Sequence, residues 1–294
     1  MIITLGHLRA ELFSLLKSAG IERPEWEARQ ILKDGASLAD TQILLGSGMY
    51  MAEDTAERLL SLARRRASGE PLAYVLGRWE IFGLDMEITP DVLIPREDTG
   101  VLIGICLEYA ADRENLRILD LCCGSGLVGV ALAKLIPSAR VTLADISRSA
   151  LAVTKINARK NLGGDDRVII MEADALADPS PRLGRFDIIC CNPPYISDGE
   201  WETLDPSVRD FEPSLALRGG PDGLDFYRAV ISRWGAALRP GGLLAFETGF
   251  DQSEKVRVLM DGAGFLQTAI YEDAQGHGRA AAGQTDKGDD TNGG

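Results

Sequence analysis

Short apolar runs alternate with helical patterns from residue 117 to about residue 264, and this alternation restricts the possible fold more than any other feature. The segments RILDLC, RVTLADI, RVIIMEAD and FDIICC are typical of strands, and helical patterns follow the first two of them. Strands that alternate with helices form a mostly parallel sheet that helices cover on both faces. The sequence therefore predicts an α/β fold.

The alternation continues toward the carboxyl terminus. The segment LDFYRAVISRWGAALRPGG is predicted to form a helix that ends at its Pro-Gly-Gly. LLAFETG and SEKVRVLMDGAG are predicted to form the next strand and the next helix.

Residues 5–69 carry a helical pattern without strands. In LRAELFSLLKSAG the apolar residues fall on one helix face, and Pro24 is suited to begin the next helix. We therefore predict a helical domain over residues 1–70, a hairpin linker over 71–93 and a sheet domain over 94–282. Residues 283–294 contain no apolar side chain and are predicted to form a disordered tail.

Length and charge exclude several classes of protein. The chain has 294 residues and a net charge of −13, and no run approaches the ~20 apolar residues of a membrane helix. The amino terminus lacks the features of a signal peptide, so we expect a cytoplasmic protein with no membrane partner. Binding to nucleic acid depends on Lys and Arg that neutralise phosphates, so the acidic balance argues against a general DNA or RNA partner.

The five cysteines are spaced neither as a zinc site nor as a disulfide framework. No CxxC occurs, and no metal site is predicted. Two vicinal pairs, Cys122-Cys123 and Cys190-Cys191, end two of the predicted strands. The simpler interpretation is that these thiols are small, buried and inert. The alternative is an oxidisable cluster.

A glycine-rich loop follows the first strand of the sheet domain, in the order ILDLCCGSGLVGVALA. Such a loop lets the backbone approach a ligand at the carboxyl ends of the strands. Asp145 follows the next strand and is placed to accept hydrogen bonds from both hydroxyls of a ribose. The spacing D-x-x-x-G-x-G differs from the GxGxxG of a dinucleotide site. This pair of features predicts a nucleoside-containing cofactor without specifying which one.

The turn Asn192-Pro193-Pro194-Tyr195 is the most specific local signal. Two prolines fix the backbone and remove two N–H donors, so carbonyl oxygens remain as the polar partners. Asn192 adds a side-chain carbonyl, and Tyr195 adds a flat ring. These groups suit a planar –NH2 group, whose two hydrogens the carbonyls accept while its nitrogen is aimed at an electrophile. The turn therefore predicts methylation of a planar nitrogen.

Together these motifs resemble class I S-adenosylmethionine-dependent methyltransferases that act on planar nitrogen. Within that class the chain resembles the protein-(glutamine-N5) methyltransferases, which modify peptide chain release factors. The resemblance extends over most of the chain and rests on GEPLAYVLG, IPREDT, FEPSLALRGGPDGLDFYR and LRPGGLLAFETGFDQ in addition to NPPYI.

The resemblance implies a seven-stranded, mostly parallel Rossmann-like sheet and a small amino-terminal helical domain that helps to hold the substrate protein. It implies S-adenosyl-L-methionine as the cofactor, a Gly-Gly-Gln loop of a release factor as the substrate, a role in translation termination, and a monomer. The implied cofactor residues are Asp120, Cys122, Cys123, Gly124, Ser125 and Gly126 at the methionine end, Asp145 at the ribose, Asp174 and Ala175 at the adenine, and Asn192. The implied catalytic residues are Asn192 and Pro193, which bind the glutamine amide, and Pro194 and Tyr195, which shape the pocket.

The chain departs from the family pattern at three places. Cys122 stands where glycine is usual, so a positive φ there would cost more than in the relatives. Gly100 stands where the family often has Glu, and the acidic tail is extra.

Other functions remain open at this level. The same NPPY turn serves methylation of adenine N6 in nucleic acid, and another protein, such as a ribosomal protein, is an alternative source of the target glutamine. A third alternative is a methyltransferase fold kept only for binding, against which the intact Asp120, Asp145 and NPPY turn argue. The basic run Arg64-Arg65-Arg66 is interpreted either as a solvated helix end or as a contact with the substrate.

Overall fold

The computed structural model describes residues 3–288, which form two compact units. The first unit comprises Met1–Arg78 and a short segment from later in the chain, Asp205–Phe211. The second comprises Trp79–Leu204 and the chain from Glu212 onward. The helical part therefore extends past the predicted boundary at residue 70, because a further helix follows it.

The first unit is built from helices. They are α1 (Leu5–Ser18), α2 (Pro24–Ala36), α3 (Asp40–Leu45), α4 (Glu53–Ala67) and α5 (Leu72–Leu76). Two short strands, β1 (Ile3–Thr4) and β2 (Tyr50–Met51), pair antiparallel. The later segment of this unit contains one helical turn, Pro206–Arg209.

The spacing of leucines explains how α1 packs. Leu5, Leu8, Leu12 and Leu16 recur every three or four residues and are fully buried. Contacts of α1 with α2 and α4 form the centre of the unit. Pro24 begins α2, where its missing N–H breaks no helical hydrogen bond.

Two strands, β3 (Arg78–Ile81) and β4 (Leu84–Glu87), form a hairpin inside the predicted linker, and all of it except Arg78 belongs to the second unit. Phe82 lies in its turn, and a Cβ built on Gly100 would lie 3.0 Å from the Phe82 ring. The glycine at position 100 therefore leaves space for an aromatic side chain that a Glu would displace.

The second unit contains a seven-stranded sheet. Its strands are β5 (Arg117–Leu121), β6 (Arg140–Asp145), β7 (Val168–Glu172), β8 (Phe186–Cys191), β9 (Leu238–Glu247), β10 (Leu266–Glu272) and β11 (Gly278–Gln284). They lie in the order β10-β11-β9-β8-β5-β6-β7, with β10 and β11 antiparallel to their neighbours and the rest parallel. The predicted α/β fold with a mostly parallel seven-stranded sheet is confirmed.

Helices cover this sheet. They are α6 (Thr99–Ala110), α7 (Leu127–Leu135), α8 (Arg148–Leu162), α9 (Asp225–Ala229) and α10 (Ser253–Gly262), with a further helical turn at Asp198–Trp201. The central strands β5 and β8 are mostly apolar and almost entirely buried, as expected for strands covered on both faces. No helix within residues 3–288 is both long and apolar enough to span a lipid bilayer.

One predicted helix ends earlier than its sequence suggests. After α9 the chain continues as one turn of π-helix, Val230–Trp234, and one turn of 3₁₀-helix, Gly235–Ala237. The Pro-Gly-Gly at 240–242 lies inside β9, at a shift of register between Phe186↔Leu238 and Ile188↔Leu243. Proline and glycine are tolerated in a strand at such an irregularity, so the motif belongs to the strand and does not end the helix.

The predicted tail begins too early. Gly283 and Gln284 are the last residues of β11, and Gly283 is buried opposite Leu244 of β9. The Thr285 N–H donates to Gly242 O and the Gly241 N–H donates to Asp286 O, so the pairing with β9 continues for two residues past β11. Residues 289–294 of the predicted tail lie outside the described residues.

Candidate active site

A cavity of about 400 Å³ lies at the carboxyl ends of β5, β6, β7 and β8. This is the edge at which open α/β sheets bind their ligands. Four segments that directly follow these strands line it, namely 122–125, 145–147, 173–176 and the turn at Asn192 and Pro194. Two further segments, 90–96 and 213–216, contribute to its walls. The volume is that of a small-molecule site.

The glycine-rich loop has an unusual backbone. Cys122, Gly124 and Gly126 have φ values of 60°, 52° and 84°. A Cβ built on Gly126 would lie 2.8 Å from Thr154 Cγ2, so the loop and α8 approach too closely for any side chain there. Cys122 is the one of the three that is not glycine, and it occupies the left-handed region that L-residues avoid.

Two side chains of α8 hold the carbonyl groups of this loop. The Thr154 hydroxyl donates to Gly124 O at 2.7 Å, and the Asn157 amide donates to Ser125 O at 2.9 Å. Both residues are fully buried. Sequence reasoning missed them because a polar residue on a helix carries no local sign of burial.

Replacing Cys122 with glycine is expected to stabilise the protein. A left-handed backbone at a non-glycine residue costs about 1–2 kcal/mol, and glycine would remove this cost. Part of the gain in stability is lost again, because glycine gives the unfolded chain more conformational entropy. We expect an increase of about 0.5–1 kcal/mol in the free energy of unfolding. Cys122→Val, which adds a β-branched side chain at the same φ, is expected to decrease it. Urea unfolding of both variants tests this, and a glycine variant less stable than wild type would contradict it.

Asp145, the last residue of β6, connects this strand to the glycine-rich loop by a hydrogen bond. Its Oδ2 accepts from the Gly124 N–H and its Oδ1 from the Ser147 N–H, both at 2.9 Å. Burial raises the pKa of Asp145, and the hydrogen bonds from Ser147 and Gly124 oppose that change. The carboxylate lines the cavity and keeps lone pairs for a ligand.

Asp120, at the floor of the same cavity, is 1% exposed. Its Oδ2 accepts from the Gly129 N–H at 2.8 Å, which ties β5 to the first turn of α7. Burial raises the pKa of Asp120 to about 7, although the bond from Gly129 acts in the opposite direction. A second carboxylate, Asp145, contributes further to the rise. Two neighbouring acids in one cavity favour a ligand that carries positive charge.

Asp120→Asn is expected to change how stability depends on pH. A carboxyl group whose folded pKa is about 7 binds a proton in the folded state that it has lost in the unfolded state, so stability falls as pH rises from about 4 to 7. Asparagine removes this effect and keeps an oxygen for Gly129. We expect the loss of unfolding free energy between about pH 5.5 and about pH 8 to be smaller by about 2 kcal/mol in the variant. Urea unfolding at both pH values measures it, and identical pH dependence in the two proteins would contradict the assignment.

Asp174 and Ala175 follow β7 and line the cavity beside Ile146. The Asp174 carboxylate accepts from the Leu176 N–H at 2.8 Å, so it shapes its own turn. The side chains of Ile146 and Leu176 are 45% and 42% exposed, and they form apolar walls suited to a flat ring.

The NPPY turn contributes another part of the cavity wall. Asn192 and Pro194 line the cavity, whereas Pro193 is buried and Tyr195 is half-buried, and neither contributes to the lining. Gly126 is also absent from the lining. Burial raises the pKa of Tyr195, so its hydroxyl is protonated at neutral pH. The structure therefore brings most of the predicted site residues to the lining of one cavity, and Gly126, Pro193 and Tyr195 are next to lining residues in the chain without lining it themselves.

The segment 217–223 supports this turn. The Ile196 N–H donates to Leu217 O, and the Gly219 N–H donates to Ile196 O, both at 2.8 Å. A Cβ built on Gly219 would lie 2.7 Å from Tyr195 Cα, so the GGPDG motif is needed for close backbone approach. The Gln252 amide also donates to Tyr195 O, at 2.9 Å.

Glu212 of the FEP motif fixes another part of the wall. Its carboxylate accepts from the Ile94 N–H at 3.0 Å and forms an ion pair with Arg96, and it is 5% exposed. Pro213 and Arg96 line the cavity. Sequence reasoning gave no role to Arg96, because its partner lies 116 residues away.

The cysteines interact mainly in two pairs, one of which includes a cysteine outside the two vicinal pairs. All five thiols are free. Cys122 neighbours Cys191, whereas Cys190 neighbours Cys106, a residue that the sequence did not single out. Burial and the neighbouring thiol raise the pKa of Cys191, and the Cys106 thiol and burial raise that of Cys190. A raised pKa keeps these thiols protonated and unreactive, which favours the inert interpretation.

The three arginines at the end of α4 are paired within the first unit. Arg64 contacts Glu57 at 2.8 Å, Arg65 contacts Glu70, and Arg66 contacts Glu27 at 2.7 Å. Only the Arg66 pair is largely buried. These pairings favour a structural role for the basic run.

Comparisons with known proteins agree with this architecture. Residues 7–77 match the PrmC N-terminal domain, and residues 101–205 match the methyltransferase small domain. The release factor glutamine methyltransferase of Moorella thermoacetica is 40% identical over 94% of this chain and 97% of its own length. That of Clostridium acetobutylicum is 37% identical over 89% and 91%. The solved hMettl16 catalytic domain, in complex with MAT2A 3′UTR hairpin 6, shares the fold with 16% identity, a TM-score of 0.55 and coverage of 84% of this chain and 87% of that one.

The sheet order, the glycine-rich loop and the NPPY turn at the carboxyl edge define a methyltransferase. The sequence identity to release factor glutamine methyltransferases, over nearly the full length of those proteins, shows which family of methyltransferases this is. The chain belongs to the release factor glutamine methyltransferase family.

Proposed function

We propose that the protein transfers a methyl group from S-adenosylmethionine to the side-chain amide nitrogen of a glutamine in a peptide chain release factor, within a Gly-Gly-Gln loop. The observation that carries the proposal is the position of Asn192 on the wall of a cavity that also contains Asp120 and Asp145. Family membership supports the choice of substrate. This role places the protein in translation termination and therefore in the cytoplasm.

The cavity fits S-adenosylmethionine by its chemistry. Asp145 would accept hydrogen bonds from the ribose hydroxyls, and the buried Asp120 would attract the positive charges of the methionine end. Ile146 and Leu176 offer apolar faces to the adenine, and Asp174 lies in the turn between β7 and Leu176. The bound molecule supplies an electrophilic methyl group on a positively charged sulfur.

The protein's own residues orient the target amide. Its two N–H hydrogens are accepted by the Asn192 side-chain carbonyl and the Pro193 backbone carbonyl, and Pro193 and Pro194 themselves have no N–H that would compete for these acceptors. An amide nitrogen is a poor nucleophile because its lone pair is delocalised. Held in this way, the nitrogen directs its lone pair at the methyl carbon, and the acceptors stabilise the positive charge that develops on it. The nitrogen gains the methyl group as the methyl–sulfur bond breaks and S-adenosylhomocysteine leaves, and the nitrogen then releases one proton to solvent.

The test is incubation of the purified protein with methyl-labelled S-adenosylmethionine and a release factor that carries Gly-Gly-Gln. A release factor with Gln→Asn in that loop is the matched substrate control, and peptide mass spectrometry locates the label. We expect label on the glutamine and none on the variant. Label on the same peptide of both substrates would contradict glutamine as the target.

A parallel reaction with ribosomal RNA and DNA tests the alternative substrate of the NPPY turn, adenine N6. Transfer to nucleic acid and none to the release factor would replace the proposed substrate while retaining the methyltransferase chemistry.

A further inference from the structure

Glu247, the last residue of β9, is a buried carboxyl group to which the proposed reaction assigns no role. Its exposed fraction is 3%. β9 pairs in parallel with β8, with Phe246 opposite Cys191, so the residues that follow this pair are Glu247 and Asn192. Glu247 therefore lies directly beside the Asn192 residue that faces the cavity.

The carboxyl group is incompletely paired. Its Oε2 atom has no hydrogen-bond partner among residues 3–288. Burial raises the pKa of Glu247 to about 7, although the side chains of Thr99 and Asn192 hydrogen-bond with the group and act in the opposite direction. A buried polar oxygen without a partner costs about 1–3 kcal/mol, which is unusual enough to require a functional explanation.

Charged and titratable groups surround Glu247 on several elements. They are Asp98 at the start of α6, Tyr195 in the NPPY turn, Tyr227 on α9 and Arg279 on β11. Asp98 contacts Arg279 at 3.2 Å, so these two opposite charges partly offset each other. The Tyr227 hydroxyl donates to the Glu247 backbone oxygen, which fixes the end of the strand.

The orientation of the Asn192 side-chain amide depends on whether Glu247 beside it accepts or donates a hydrogen bond. Asparagine can present either its carbonyl oxygen or its –NH2 group to a ligand, and the two orientations have nearly the same shape. An ionised carboxylate accepts hydrogen bonds and donates none, so it selects the orientation in which the –NH2 group of Asn192 points toward Glu247. The carbonyl oxygen of Asn192 then points away from Glu247, on the side of the cavity.

We propose that Glu247 is a positioning residue that fixes the Asn192 amide with its nitrogen turned toward β9 and its carbonyl oxygen turned toward the target amide. The part that concerns the target amide rests on the proposed function. The orientation of Asn192 is a property of the protein alone and is measurable without any substrate.

Protonation of Glu247 removes this selection, because a neutral carboxyl group can donate to the Asn192 oxygen. The ionised fraction of a group with a pKa of about 7 rises from about one-tenth at pH 6 to about nine-tenths at pH 8. The side-chain amide of Asn192 is therefore expected to report the titration of Glu247, and kcat is expected to rise about tenfold over the same range.

The first experiment records the side-chain ¹⁵N–¹H₂ resonances of Asn192 between about pH 5.5 and about pH 8.5, assigned by their loss in Asn192→Asp. We expect a titration with a midpoint near 7 in wild type and none in Glu247→Gln. Asp120→Asn is the control for the other carboxyl group with a pKa of about 7, and the titration should persist in it. Resonances that titrate in Glu247→Gln as in wild type, or that do not titrate in wild type, would overturn the proposal.

The second experiment measures kcat at saturating S-adenosylmethionine from pH 6 to pH 8. Glu247→Gln is expected to vary less than about twofold, and Glu247→Asp is expected to recover the pH dependence. A merely structural role for Glu247 would lower the melting temperature of Glu247→Gln without flattening its pH profile, and that result would overturn the proposal. If wild type methylates no release factor, the proposed function fails, while the resonance titration still decides the role of Glu247.

Discussion

Asn192→Ala is expected to slow methyl transfer by about 10²–10³, with little change in affinity for S-adenosylmethionine. This is the usual effect of removing one preorganised polar partner from the reacting group. Asn192 lies in a turn that Gln252 and the Gly219 backbone hold in place. Removal of the Asn192 side chain therefore leaves both this turn and the glycine-rich loop intact. Single-turnover rates with saturating release factor and calorimetric titration of S-adenosylhomocysteine measure the two quantities separately.

Asn161→Ala is the matched control for this substitution. Asn161 also carries a half-buried amide group, but its side chain holds Asp85 of the β3–β4 hairpin and lies outside the cavity. We expect this variant to lose stability and to retain the rate of methyl transfer per folded molecule. An Asn192→Ala rate within threefold of wild type would remove Asn192 from the reaction.

The sequence predicted the site best where each functional residue lies directly after a strand. The glycine-rich loop, Asp145 and the NPPY turn each follow one strand directly, and the parallel sheet brings the ends of neighbouring strands to one edge. Their convergence could therefore be predicted from the alternation of strands and helices. The positive φ of Cys122 was likewise foreseeable, because the position requires a conformation that glycine normally supplies.

Partners that are distant in sequence could not be predicted. The Glu212 carboxylate accepts from the Ile94 N–H across 118 residues, and Thr154 bonds the Gly124 carbonyl across 30. Glu212, Thr154 and Asn157 look like ordinary surface residues in the sequence, since polarity alone does not distinguish a solvated side chain from a buried and paired one.

The antiparallel edge of the sheet could not be predicted from the sequence for a different reason. The segment GRAAAGQ of β11 contains alanine and glycine, which have low strand propensity. It is a strand because β9 and β10 supply its hydrogen-bond partners on both sides. Tertiary pairing overrides local preference there, as it does at the Pro-Gly-Gly inside β9.

Asp145→Ala is expected to weaken the binding of S-adenosylmethionine by about 10² or more. Hydrogen bonds to a charged acceptor contribute about 1.5–3 kcal/mol each, and two ribose hydroxyls would lose that acceptor. The Gly124 and Ser147 N–H groups would lose it as well, so part of the effect would come from loosening of the loop. Calorimetric titration with S-adenosylhomocysteine measures the total.

A ligand that lacks the two ribose hydroxyls separates these contributions. Wild type and Asp145→Ala are each titrated with S-adenosylhomocysteine and with its 2′,3′-dideoxy analogue, which gives a double-mutant cycle between the carboxylate and the hydroxyls. If Asp145 binds the ribose, the substitution weakens binding of the dideoxy analogue far less than binding of the parent ligand. If both ligands lose the same affinity, Asp145 acts only by holding Gly124 and Ser147, and the ribose must be recognised by another group in the cavity.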